Sequence, residues 1–183
     1  MLVLYYFYLE ISARKTAKEL VVHYHTIQSR FMQFRKLIAD YCNNEARKLN
    51  GEIEIDESYF GGKRKGTRGR GAKNKTIVFG ILERKGKIYT KIVENVSAET
   101  LMSEIQNKTL KGSVFYTDGW KSYASLEQYG KHNVIDHDKE LVDANHNHIN
   151  GIEGFWSFAK ERFHKYHGID KENYPFYVKE MEF

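Results

Sequence analysis

The sequence predicts an α/β fold, in which a mixed β-sheet with flanking helices is preceded by a small helical region. Residues 51–168 alternate between short strand patterns and helical patterns, an order that builds a sheet with helices packed on it. Residues 11–49 instead repeat apolar side chains at helical spacing. With 183 residues, of which 41% are hydrophobic, the chain is long and apolar enough to bury a core, which excludes wholesale disorder.

The first zone, residues 1–50, is predicted to be a helical DNA-binding region of the helix-turn-helix type. Ser12 is a candidate N-cap for a first helix, and a break at Val21–Tyr24 separates it from a second helix. The apolar face of the second helix consists of Ile27, Phe31, Phe34, Leu37, Ile38 and Tyr41. The residues that it would present to a DNA major groove are His25, Thr26, Gln28, Ser29 and Arg30. A plain helical hairpin shows the same apolar spacing, so that alternative stays open.

The second zone, residues 51–170, is predicted to be the main domain. Its elements follow in the order three strands, helix, strand, helix, strand, helix. In sequence letters they are EIEIDESYF, TIVFGILER, KIYTKIVEN, SAETLMSEIQNKT, GSVFYTDG, WKSYASLEQYG, HNVID and HINGIEGFWSFAKERFHKY. The short KGK turn between the second and third strands indicates a hairpin, and Ser97 is the predicted N-cap of the first helix.

The two ends of the chain have apolar patterns of their own. The opening stretch MLVLYYFYLE is too short to span a bilayer and lacks the features of a signal peptide, so we expect a packed strand or an irregular start. The third zone, residues 171–183, contains the single proline, Pro175, followed by apolar residues up to Phe183. We expect this zone to be the start of a C-terminal helix that is cut short.

A basic, glycine-rich segment separates the first two predicted strands. Its cations are Lys63, Arg64, Lys65, Arg68, Arg70, Lys73 and Lys75. No acidic residue lies among them, and because the net charge of the whole chain is only +5, the remainder is close to neutral. A localised basic patch indicates nucleic-acid binding, and the interspersed glycines let the backbone approach phosphates closely. A solvated surface loop is the plainer alternative.

Three acidic residues occupy positions that suit a site at a sheet edge. Asp56 is expected to close the first strand, Asp118 closes the fourth, and Glu153 lies early in the last long helix. Strand ends converge at one edge of an α/β sheet, and carboxylates gathered there can hold Mg²⁺ for phosphodiester chemistry. Each residue also has a structural explanation, since Asp118 precedes a glycine as turn residues do and Glu153 suits a helix N-terminus.

The segments EIDESYFGGKRKG, YTDGWKSY and HINGIEGFWSFAKERF together resemble the motifs of the DDE transposases of small bacterial insertion sequences, in particular the insertion-sequence family fifteen-ninety-five. The resemblance spans about residues 12–183. It implies a ribonuclease-H-like fold and metal-dependent cutting and joining of DNA, with two Mg²⁺ or Mn²⁺ ions as cofactors. It also implies that Asp56, Asp118 and Glu153 are catalytic and hold the metals, with Asn150 as the alternative third ligand.

The implied partners are double-stranded DNA, as insertion-sequence ends and as target, and a second copy of the chain, because transposition joins two ends. No membrane partner is expected. The single cysteine, Cys42, suits a reducing cytoplasm, and a bacterial transposase would lie at the nucleoid. The predicted DNA contacts are the seven cations of the basic segment together with Lys121, Lys160 and Arg162.

Several alternatives stay open. Members of the family are usually longer at both ends, so a truncated, non-catalytic DNA-binding remnant is the alternative function, and a ribonuclease-H-like nuclease of another purpose is a third. A zinc site is a further alternative, because imidazoles can hold zinc and six histidines lie in the C-terminal half, namely His132, His137, His146, His148, His164 and His167. Trp156 would stack on a base or, as we favour, pack in the core.

Overall fold

The computed structural model describes residues 1–61, 75–119, 121–135, 148–166 and 168–183. These residues form two compact units. The helical unit comprises residues 1–45, 172–181 and 183, and the sheet unit comprises residues 46–171 and 182. In the described ranges we find no helix that is long and apolar enough to cross a membrane.

The elements follow closely the order that the sequence predicts. The helices are α1 (Leu2–Tyr8), α2 (Ala13–Glu19), α3 (Tyr24–Asn43), α4 (Ala98–Lys108), α5 (Asn150–Lys165) and α6 (Tyr174–Glu182). The strands are β1 (Glu52–Phe60), β2 (Thr76–Glu83), β3 (Ile88–Val93), β4 (Val114–Asp118) and β5 (Lys131–Ile135). The segment predicted as a helix between β4 and β5 is a 3₁₀-helix, Lys121–Gln128.

The opening stretch of the chain is helical, so the expected packed strand is wrong. In α1, Phe7 packs its ring against Phe31 and Phe34 of α3, with centroid separations of 5.1 and 5.3 Å. A helix of this length is marginal by itself, and the packing of its apolar side against α3 stabilises it. Apolar residues that suggested a strand therefore form the side of α1 that packs against α3.

The helical hairpin of α2 and α3 is present. The Ser12 hydroxyl accepts a hydrogen bond from the Lys15 N–H at 3.3 Å, which confirms Ser12 as the N-cap of α2. In the turn, Val21 has a φ angle of 53°, a left-handed conformation that glycine usually adopts. Ile27 and Phe31 are buried on the inner face of α3. The exposed residues of the first turns of α3 include His25, Thr26, Gln28, Ser29 and Arg30, and their contact with DNA stays a prediction.

The five strands form one mixed sheet in the order β3-β2-β1-β4-β5. β1 pairs antiparallel with β2, which pairs antiparallel with β3, whereas β4 runs parallel to β1 and β5 runs parallel to β4. The predicted class, a ribonuclease-H-like mixed sheet with flanking helices and a helical N-terminal region, is confirmed. β1 lies at the centre of this sheet and therefore contacts elements on both of its faces.

The two faces of β1 pack against different helices because side chains alternate along a strand. Ile53 and Ile55 point into a core with Leu101 and Ile105 of α4. The opposite face carries Glu54, Asp56 and Phe60, and α5 lies on it. Phe60 contacts Trp156 and Phe163 of α5 with ring centroids 6.1 and 4.8 Å apart. Trp156 is buried, as predicted for a core residue.

Gly80 of β2 makes room for α5. A Cβ atom at Gly80 would lie 2.6 Å from Cζ2 of Trp156 and 3.1 Å from Cδ1 of Ile152. We therefore expect Gly80→Ala to lower the free energy of unfolding by about 1–3 kcal/mol, since the overpacked indole must shift. Urea titration monitored by tryptophan fluorescence measures this change.

The matched control for that substitution is Gly154→Ala in α5. A Cβ atom there meets nothing within 4 Å, so alanine should stabilise the helix by about 0.5–1 kcal/mol. Equal unfolding midpoints for the two variants would show that α5 does not lie against Gly80 as described.

Candidate active site

Asp56 and Asp118 lie side by side on the parallel strands β1 and β4. These strands pair with Glu54 opposite Tyr116. Asp56 and Asp118 each follow two residues later, so they lie at the same level and on the same face of the sheet. β4 ends at Asp118, as expected, but the expectation that Asp56 closes β1 is wrong. β1 continues to Phe60 because its antiparallel pairing with β2 extends beyond β4.

The carboxyl group of Asp56 is unusually easy to protonate. Burial, together with the neighbouring carboxylates of Glu57 and Asp118, raises the pKa of Asp56 from its ordinary value of 3.8 to about 7. The backbone N–H of Glu57 and the indole of Trp156 favour the charged form but do not outweigh these effects. The indole Nε1 has no hydrogen-bond partner of standard geometry among the described residues, so its influence is that of a nearby dipole. Crowded, half-buried carboxylates of this kind favour a bound cation.

Glu153 lies on the flank of α5 that is turned toward β4. A Cβ atom at Gly151 would lie 2.7 Å from Cδ2 of Leu82 in β2, which places the Gly151 flank on the β2 side. Successive helical residues are rotated by about 100°, and Ile152 is fully buried against the sheet. Glu153 therefore lies on the opposite flank, on the side of the sheet where Asp118 is found.

Asn150, the alternative third ligand, begins α5 and is exposed. It is rotated by about 160° from Ile152, so it faces away from the sheet. Glu153 is half-buried and lies in the first turn of the helix. The geometry of α5 thus favours Glu153 over Asn150 as a neighbour of the two aspartates.

Four of the remaining predicted DNA contacts, Lys75, Lys121, Lys160 and Arg162, belong to the described residues. Lys63, Arg64, Lys65, Arg68, Arg70 and Lys73 lie outside the described residues, and Lys75 directly precedes β2. Lys121 begins the 3₁₀-helix that follows β4. On α5, Lys160 is exposed on the same flank as Glu153, and the Arg162 guanidinium lies over the Phe158 ring at 5.2 Å from its centroid.

A metal site is not preformed in the part of the chain that the structure describes. No three His, Cys, Asp or Glu side chains among those residues lie together closely enough to hold an ion. Of the histidines considered for zinc, His137, His146 and His167 lie outside the described ranges. The donor chemistry at Asp56, Asp118 and Glu153 nevertheless fits Mg²⁺ or Mn²⁺, which prefer carboxylate oxygens.

One polar residue that the sequence patterns did not single out belongs to this face of the sheet. Glu54 is only 1% exposed, and its Oε2 accepts a hydrogen bond from the Ile152 N–H at 2.9 Å. The alternation of EIEID puts Glu54 on the same face as Asp56, and that pattern was the available signal. That pattern does not predict the hydrogen bond between Glu54 and the backbone of α5.

Comparison with known proteins gives a consistent family. A family profile described as the ISXO2-like transposase domain matches residues 48–183. An uncharacterized transposase-like protein of Haemophilus influenzae is 41% identical over 99 residues, which are 54% of this chain and 80% of that protein.

Two of the similar solved structures are catalytic domains. The catalytic core of BIV integrase has a TM-score of 0.45 at 12% identity and covers 71% of this chain and 80% of its own. The catalytic domain of Mos1 mariner transposase has a TM-score of 0.40 at 15% identity and covers 82% of this chain and 86% of its own.

Proposed function

Because the chain belongs to the family of ISXO2-like transposase domains, we propose that it cuts and joins DNA in a divalent-metal-dependent reaction. This family membership confirms the insertion-sequence transposase that the sequence motifs predicted. The reaction is cleavage of a phosphodiester at an insertion-sequence end, followed by transfer of the freed strand to target DNA. The observation that carries this proposal is the position of Asp56 and Asp118, each two residues beyond the paired Glu54 and Tyr116 on adjacent parallel strands, with Glu153 on the facing flank of α5.

The three carboxylates would hold Mg²⁺ or Mn²⁺, in line with the prediction of two ions. When bound, such ions neutralise charge on the phosphodiester and activate the attacking oxygen. The chain's own contribution is to hold Asp56 and Asp118 close together on rigid strands, despite their mutual repulsion. Burial first, and then the carboxylates of Glu57 and Asp118, raise the pKa of Asp56, and a bound cation would offset these effects.

DNA is held by the cations that the sequence predicts as phosphate contacts. In the chain, the basic segment from Lys63 to Lys75 lies between β1, the strand that carries Asp56, and β2. Its cations and Lys160 contact phosphates without reading the base sequence. The exposed first turns of α3 recognise the element end, and two copies of the chain bring two ends together.

The proposal is tested with purified protein and DNA that carries the ends flanking the gene. Metal-dependent nicking and joining of these ends in Mg²⁺ or Mn²⁺ is the expected result. Binding without cleavage in either metal would contradict the proposal and identify a DNA-binding remnant. Cleavage of RNA in an RNA–DNA hybrid, without strand transfer, would identify a nuclease of another purpose.

The basic segment gives a quantitative prediction. Lys63→Gln combined with Arg64→Gln should weaken binding to duplex DNA and reduce the slope of log affinity against log salt by about 2, since two phosphate contacts are lost. Fluorescence anisotropy at several salt concentrations measures the slope.

The matched control also removes two positive charges, but at positions outside the basic segment. Lys111→Gln combined with Lys131→Gln changes residues just before β4 and at the start of β5, at the end of these strands opposite to Asp118. This variant should keep the wild-type slope. Equal slopes for the two double variants would mean that the basic segment does not bind DNA phosphates.

A further inference from the structure

Glu54, Arg84 and Tyr116 form a connected network on the face of the sheet that carries Asp56 and Asp118, and we name this network the Glu54 platform. We propose that the Glu54 platform is a positioning network that fixes Asp56, Asp118 and Glu153 relative to one another. The proposal rests on the proposed function, because it concerns the same three carboxylates. None of the three platform residues is itself a proposed metal ligand.

Glu54 ties the strand of Asp56 to the helix of Glu153. Its Oε2 accepts the N–H of Ile152 at 2.9 Å, across 98 positions in sequence. The N-cap residue of α5, Ile149, supplies no side-chain cap, so Glu54 does for α5 what Ser12 does for α2. A carboxylate at that end also interacts favourably with the helix dipole. Glu54 lies two residues before Asp56, and its partner Ile152 directly precedes Glu153.

Arg84 fixes the orientation of Glu54. Its Nε donates to Oε1 of Glu54 at 2.9 Å, and its Nη2 donates to the backbone carbonyl of His148 at 2.5 Å. His148 lies immediately before the N-cap of α5, so the same guanidinium holds both the cap and the chain that enters the helix. The rigid fork of arginine permits these simultaneous contacts, which lysine could not make.

Tyr116 extends the platform to the strand of Asp118. The Arg84 guanidinium lies 3.8 Å from the centroid of the Tyr116 ring, and the Tyr116 hydroxyl donates to Oε1 of Glu52 at 2.7 Å. Tyr116 stands opposite Glu54 in the sheet and lies two residues before Asp118. Glu54 and Tyr116 thus lie two residues before Asp56 and Asp118, and the platform also binds Ile152, which directly precedes Glu153. The network therefore lies one side-chain layer below the three carboxylates.

Glutamate is chemically required at position 54 for this arrangement. Each of its oxygens accepts from a different donor, one on Arg84 and one on Ile152. A glutamine has a single acceptor oxygen, and its amide nitrogen can satisfy neither donor. Glu54→Gln is close in size, so it removes one tie while leaving the packing nearly unchanged.

The experiment compares Glu54→Gln and Arg84→Lys with Arg47→Gln. Arg47 donates to Glu83 at 2.8 Å, so the control removes an arginine–glutamate pair next to Arg84 that does not contact α5. Hydrogen exchange of the amides at residues 150–153 is measured without metal, and the Mn²⁺ dependence of cleavage is measured with element-end DNA. Both platform variants should exchange about tenfold faster at these amides and need about 10–100 times more Mn²⁺ for half-maximal cleavage, with unchanged DNA affinity.

The outcomes separate positioning from general stability and from the proposed function. A platform variant that folds, as judged by circular dichroism, and keeps wild-type exchange and Mn²⁺ dependence overturns the inference; if Glu54→Gln does not fold, Arg84→Lys decides. A shift in Mn²⁺ dependence for Arg47→Gln of the same size would reduce the effect to lost stability and also overturn it. If the wild-type chain cleaves no DNA in any divalent metal, the proposed function fails, and exchange at the start of α5 still decides whether the platform holds that helix.

Discussion

Asp118→Asn is expected to abolish metal-dependent cleavage of element-end DNA while leaving the fold intact. Asparagine keeps the shape of the side chain but removes the charge that would hold a divalent ion beside Asp56. Charge stabilisation by a catalytic metal contributes several kcal/mol, so the rate should fall on the order of a thousandfold or more. Single-turnover cleavage with saturating protein measures this loss separately from DNA binding, which should be unaffected.

The same assay distinguishes the two candidates for the third ligand. Glu153→Gln should lose cleavage to a similar extent, because Glu153 lies on the flank of α5 turned toward β4. Asn150→Ala should keep cleavage within a few-fold of wild type, because Asn150 is exposed and faces away from the sheet. Loss of activity in Asn150→Ala with retention in Glu153→Gln would reverse this assignment. Asp170→Asn, at an exposed position, is the charge-matched control.

Asp56→Asn should stabilise the folded chain at pH 8 in the absence of divalent metal. The pKa of Asp56 is raised from 3.8 to about 7, so the folded chain binds this proton more tightly than the unfolded chain does. Its contribution to stability therefore falls as the pH rises from about 4 to 7, and the full penalty persists above pH 7. At about 1.4 kcal/mol per pKa unit the upper bound is near 4 kcal/mol, and we expect a gain of about 1–3 kcal/mol because the carboxyl is half-buried.

Urea unfolding at pH 5 and pH 8 tests the sign of this effect. The gain from Asp56→Asn should be clearly smaller at pH 5, where the folded wild-type carboxyl is already neutral. Added Mg²⁺ should raise the unfolding midpoint of the wild type at pH 8 and leave the variant unchanged, since a ligand stabilises only the state that binds it. An asparagine variant that is less stable than wild type at pH 8 would contradict the described environment of Asp56, and Asp170→Asn controls for the change in net charge.

The strand and the helix that carry this site could be predicted from the sequence, because strand and helix formation depend largely on the spacing of neighbouring residues. The segment EIEIDESYF was predicted to be a strand and forms β1, although the strand does not end at Asp56 as expected. The spacing of Ile152, Trp156 and Ala159 made α5 an amphipathic helix with a buried tryptophan. The opening decapeptide shows the limit of such reasoning. Its apolar run fits a strand or a helix equally well, and contact with α3 decided for the helix.

By itself the sequence determined the order of strands and helices, the candidate carboxylates and the concentration of charge after β1, since each of these is written in neighbouring residues. Only the tertiary structure decided which carboxylates meet. The register of β1 with β4 places Asp56 beside Asp118, and the rotation of α5 turns Glu153 toward the sheet and Asn150 away from it. Only the tertiary structure could assign Glu54 its helix partner, because that hydrogen bond joins residues 98 positions apart. Such pairings depend on how whole elements pack, and no local periodicity encodes them.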